Sequence, residues 1–97
     1  MIVARTVFQA KYGQGDALVG LLKEGNEILA RHGVGDQRIL TDRTGPFFTV
    51  VMETEIESLG AWEESQKAFG DPDFGPWFEK MMPLVESGSR EFYGIEE

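Results

Sequence analysis

Gly45-Pro46-Phe47-Phe48-Thr49-Val50-Val51-Met52-Glu53-Thr54-Glu55 is the stretch on which the fold turns. A Gly-Pro pair marks a turn, and the β-branched and aromatic run after it predicts a strand over Phe47 to Glu55. Side chains alternate between faces along a strand, so Phe48, Val50 and Met52 point one way and Phe47, Thr49, Val51 and Glu53 the other. Both rows carry bulk, which predicts an inner strand of a sheet covered on both sides. A chain of 97 residues builds one modest core. The second cover is therefore expected from another copy of the chain, meeting the first through the open sheet face.

Outward from this strand, Gln37 to Asp42 reads as a strand, and the short turn Arg43-Thr44-Gly45-Pro46 makes the pair antiparallel. Ile2 to Gln9 alternates β-branched, aromatic and polar residues until Gly13 and Gly15 end it, giving the first strand. Asp16 then suits a helix N-cap. Leu18, Leu21, Leu22, Ile28 and Leu29 recur at helical spacing, and Gly33 stands where a left-handed terminal residue belongs. Gly25 falls on the same stripe, which means either very close packing there or room beneath it. Towards the C-terminus, Ser58 caps a helix through Trp62 to Phe69, closed by Gly70. Asp71-Pro72 opens another, with its regular part starting near Pro76 and Trp77, Phe78, Met81 and Val85 as the buried stripe. Pro83 ends it, Gly88 closes the region, and Ser89 to Ile95 alternates as a last strand.

The order strand, helix, strand, strand, helical region, strand predicts an α+β, ferredoxin-like fold over residues 1–97. Its four-stranded antiparallel sheet has order 4-1-3-2, with both helical regions on one face. Hydrophobic residues make up 41% and charged residues 27%, which are globular values. Against 17 acidic residues stand 9 basic ones, and the net charge of -8 with dispersed Lys and Arg argues against nucleic-acid binding. The absence of cysteine excludes disulfides and thiolate chemistry. No apolar run approaches the roughly 20 residues that cross a bilayer, and Arg5 comes too early for a signal-peptide core. A cytoplasmic chain with no membrane partner is expected.

Three stretches carry a family resemblance: Thr44-Gly45-Pro46-Phe47-Phe48, then Glu57-Ser58-Leu59 with Trp62, then Trp77-Phe78 followed by Met82-Pro83-Leu84-Val85-Glu86-Ser87-Gly88-Ser89-Arg90-Glu91. Together they resemble the dimeric α/β-barrel superfamily, nearest to NIPSNAP-like small bacterial proteins and then to antibiotic-biosynthesis monooxygenase-like proteins. The resemblance implies two sheets facing each other across a homodimer with the helices outside. It implies no single activity, because such folds host cofactor-free oxygenases, isomerases, haem-degrading enzymes and proteins with no assigned chemistry.

His32 is the only histidine, and it extends the stripe of Leu18, Leu22, Gly25 and Leu29 towards any space between helix and sheet. That makes it the candidate catalytic base, or a haem ligand if it faced a wide enough slot. The plainer reading is a helix C-terminal histidine set against the dipole. Trp62, Trp77, Phe78 and Met81 are candidates to line a pocket for a flat, apolar substrate, and equally serve as core. Glu53 and Glu55 share a strand face, where solvation near a strand end is the usual explanation, or for Glu53 a pairing with Arg5 or Arg90 across the sheet. No metal-ligand spacing, phosphate loop or nucleophile elbow is present. The expected function is binding of a small apolar or aromatic metabolite, with any catalysis free of cofactor. The competing expectation is a structural or interaction module without a small-molecule site. An enclosed void beneath Gly25 and His32 would favour the first, and a space filled by Phe48, Met52 and Trp77 the second.

Overall fold

Among the described residues, four strands and three α-helices form in the predicted order: β1 (Ile2–Ala10), α1 (Gly15–Ala30), β2 (Arg38–Thr41), β3 (Thr49–Ile56), α2 (Leu59–Ser65), α3 (Phe74–Met81) and β4 (Val85–Gly94). The computed structural model describes residues 1–96. All strand pairs are antiparallel and the sheet order is β2-β3-β1-β4, which is the predicted 4-1-3-2 read from the other edge. The helices lie over one face. Leu18 and Leu22 of α1 meet Val50 of β3, Ala10 of β1 and Met81 of α3 in the core. Burying such a side chain stabilises the fold by about 2 kcal/mol relative to leaving it in water.

Element ends depart from the sequence reading for identifiable reasons. Phe47 and Phe48 lie outside β3. Phe48 adopts a left-handed φ of 58°, turning its ring onto Gly15 and Tyr12, and its carbonyl accepts the Ala10 amide at 3.0 Å. Phe47 is thereby left 70% exposed, with its carbonyl accepting from Gln9 Nε2. Asp16 is no N-cap: α1 starts two residues earlier than that cap would give, after Gln14, and Asp16 sits in the first turn, where a carboxylate still suits the helix dipole. At the other end, Gly33 takes a φ of 80°, the Val34 amide donates to Leu29 O and the Gly33 amide to Ala30 O, as in a Schellman cap.

Ser58 caps α2 by accepting the Ala61 amide at 3.1 Å, but the helix tightens into a 3-10 turn over Gln66–Gly70. Helix α3 begins at Phe74 rather than near Pro76, because a first-turn proline gives up an amide that has no helical partner anyway. Pro83 does end the helix, in a 3-10 turn at Met82–Leu84. Gly88 does not close the helical region; it lies inside β4 opposite Phe8. A Cβ there would stand 3.3 Å from Val7 O, so the glycine permits a close cross-strand approach.

Candidate functional site

Strand alternation fixes what each face of the sheet can offer. Ala4, Thr6 and Phe8 of β1, Met52 and Thr54 of β3, and Arg90 of β4 point towards the helices. The helices do not fill the space above them. A cavity of about 530 Å³ remains between sheet and helices, bounded by Leu29 and Gly33 at the end of α1, Trp62 on α2, and Phe74, Trp77, Phe78 and Met81 on α3. That volume lies within the roughly 300–1,000 Å³ of drug-sized ligand sites.

The aromatic wall has two parts. Phe74 packs on Phe69 at 4.6 Å, on Trp77 at 5.3 Å, and stacks with Phe78 at 6.0 Å between ring centroids. Trp62 stands edge-on to Phe92 at 5.2 Å. Into this surroundings β4 projects Arg90, whose guanidinium lies 5.1 Å from the Trp62 ring centre and donates from Nε to Thr6 Oγ1 at 3.1 Å. Among the described residues no carboxylate lies within ion-pairing distance of Arg90. Partial burial lowers its pKa, because losing water disfavours the charged form. Glu55 and Glu57 also border the cavity, but Glu55 is three residues along β3 from Met52, ~10 Å by strand rise, so the charge is separated along the cavity.

Trp62, Trp77, Phe78 and Met81 are thus brought together on one cavity. His32 is not among its lining residues. Its Nε2 lies 2.7 Å from Asp71 Oδ2, outside the cavity, where Arg31 also approaches Asp71 and Asp73. Asp71 is nearly enclosed, and its pKa is held down by the Asp73 amide and then by His32. The space beneath Gly25 is filled by the Trp77 indole, and the void lies beyond it, towards Leu29. The sequence reading offers Arg90 only as a partner for Glu53 and gives Thr6, Phe69 and Phe74 no part in a site. The available signal was Arg90 in phase with Phe92 on the last strand, an isolated cation on what proves to be the helix-facing row.

The opposite face carries a rung of charge beside an aliphatic one. Arg38, Glu53, Arg5 and Glu91 are register neighbours, so one rung of alternating charge crosses all four strands. Glu53 is 8% exposed and accepts from Arg5 Nε and Arg38 at 2.6 Å each, while Arg90 is turned to the other face. The pairing of Glu53 with Arg5 is therefore found, and Arg38 joins it. Beside this rung runs an aliphatic one, Leu40, Val51 and Val7. Hydrogen bonds from Arg38 and then Arg5 hold the Glu53 pKa down. No helix among the described residues is long and apolar enough to cross a membrane, and no three described His or carboxylate side chains gather as a metal site requires.

Comparison with solved structures places this architecture. A NIPSNAP family protein of Agrobacterium tumefaciens superposes with a TM-score of 0.87 at 20% identity, over 99% of this chain and 86% of that one. The fold is that of the NIPSNAP proteins. An uncharacterised NIPSNAP domain protein of Burkholderia xenovorans gives 0.87 at 15% identity, covering 99% and 95%. SnoaB, a cofactor-independent oxygenase of Streptomyces nogalater, gives 0.73 at 14% identity, covering 99% and 93%. The resemblance read from Thr44–Phe48, Trp62 and Trp77–Glu91 thus holds for the fold. No protein-family model matches the chain, and comparison with curated proteins found no match.

Proposed function

We propose that this chain binds a small, flat, apolar or aromatic metabolite carrying an acidic oxygen, in the cavity between its helices and sheet, as a homodimer paired through the open sheet face. The observation that carries the reading is Arg90, a cation without a carboxylate partner among the described residues, set in an aromatic cavity beside Trp62. A guanidinium with reduced hydration gains from an anionic partner, and its planar fork suits a carboxylate, phenolate or enolate. Trp62, Phe78 and Met81 supply the apolar walls and Trp77 the floor.

A phenol or β-dicarbonyl compound with its oxygen against Arg90 loses its proton more readily, because the cation stabilises the anion where water is scarce. Cofactor-free oxygenation and isomerisation both begin with such an anion, and SnoaB shows that this fold accommodates a cofactor-independent oxygenase. His32 is assigned a positioning part. Its bond to Asp71 fixes the connection between α2 and α3, which carries Phe69 and Phe74 to the cavity. The filled space beneath Gly25 is the one observation favouring a module without a ligand, and the cavity beyond it outweighs that.

Native mass spectrometry of protein purified without added ligand, and then with naphthalene-2-carboxylate, tests the reading. Dimers carrying one adduct per chain are expected, with the adduct absent from Arg90→Met. Monomers with no adduct at any naphthalene-2-carboxylate concentration would overturn it.

A further inference from the structure

Gly25 lies on the buried stripe of α1, and what stands over it is the Trp77 indole. A Cβ on residue 25 would be 2.5 Å from Trp77 Cζ2, 2.7 Å from Cε2 and 3.1 Å from Nε1. Those separations are far below ordinary carbon contacts of about 3.5–4.0 Å, so any side chain there must displace the ring by about 1 Å or more. The ring is not free to slide, since its Nε1–H donates to Leu21 O at 2.6 Å. That carbonyl lies one helical turn before Gly25, and side chains on a helix lean over the preceding turn. A side chain at 25 would therefore shield the acceptor as well as strike the ring. Phe74 stands against another side of the indole at 5.3 Å, and Trp77 also borders the cavity.

We propose that Gly25 is a specificity-determining position: by leaving room for the Trp77 indole against α1, it sets the depth of the cavity and so the length of fused aromatic ligand accepted. The inference deepens the binding role proposed above and rests on it. With the indole docked into the Gly25 notch, an aromatic acid anchored at Arg90 has the depth down to Trp77 for its rings. With the indole pushed out, the far ring has no place.

The test is the affinity ratio of two acids that differ by one fused ring, naphthalene-2-carboxylate and anthracene-2-carboxylate, read by fluorescence titration of the full chain. Gly25→Ala should weaken the longer acid about ten-fold relative to the shorter, the scale of a pocket that loses room for part of its ligand. Trp77→Phe should move the ratio the other way, because a smaller ring deepens the floor. Where Gly25→Ala fails to fold, as circular dichroism would reveal, Trp77→Phe alone decides. Equal changes for both acids in the folded variants would mean that residues 25 and 77 act only on stability, and would overturn this inference while leaving the site in place. Failure of both acids to bind the unaltered chain would remove the site itself and this inference with it.

Discussion

The two faces of the sheet are made by the same strands one residue out of phase, yet they carry opposite chemistry. On the helix side, Arg90 stands among Trp62, Thr6 and Phe8 with no described carboxylate near it, and a cavity lies above it. On the open side, Arg5 and Arg38 clamp Glu53 and every charge in the rung has a neighbour of opposite sign. The contrast teaches where a ligand is wanted. A satisfied rung flanked by Leu40, Val51 and Val7 suits a flat protein surface, whereas a single unpaired cation in an aromatic enclosure suits a small anion.

Placing a charge in the aliphatic rung should break the comparison most severely. Val51→Asp brings a carboxylate to the surface assigned to the second copy, and a buried unpaired charge costs several kcal/mol. Analytical ultracentrifugation should find the dimer dissociation constant raised at least about hundred-fold, with the monomer still folded. Next comes Arg90→Met, which should weaken naphthalene-2-carboxylate by about 2 kcal/mol, roughly thirty-fold, as expected for a charge-assisted bond. Arg38→Met on the opposite face should leave that affinity unchanged, and equal losses in the two would erase the distinction between the faces.

The smallest effect concerns Glu53. Because its folded pKa lies below the unfolded value, its contribution is present above about pH 4.3 and is lost as pH falls through the depressed folded value. Glu53→Gln should therefore cost about 1 kcal/mol at pH 7, a figure kept small by the exposure of both arginines, and should flatten the acid limb of a urea-denaturation series. An acid limb identical to that of the unaltered chain would show that the rung is decorative. Asp71, held low by the Asp73 amide and His32, contributes with the same sign.

The element order and sheet order were legible because the alternating and helical periods are strong, and because one tight turn and the right-handed crossover rule leave few topologies. What was hidden is specific. Phe47 and Phe48 have strand propensity, but Phe48 enters the left-handed region to pack on Gly15, a tertiary preference that no local pattern records. The aromatic candidates on α2 and α3 were visible because two tryptophans in a helical stripe need a destination. Arg90 was not. On β4 the row Arg90–Phe92 and the row Glu91–Tyr93 are equally plausible inward faces until the sheet is assembled. His32 drew attention as the only imidazole, and its place off the cavity follows from its bond to Asp71, a partner in the connection before α3 that no helical stripe records.

The most direct measurement is an NMR titration with naphthalene-2-carboxylate that follows the side-chain Nε–H of Arg90, Arg5 and Arg38 together with the indole N–H of Trp62 and Trp77. Saturable shifts at Arg90, Trp62 and Trp77 are predicted, with Arg5 and Arg38 unmoved. Shifts centred on Arg5 and Arg38, or none at any of the five groups, would contradict the assignment of the cavity as the binding site.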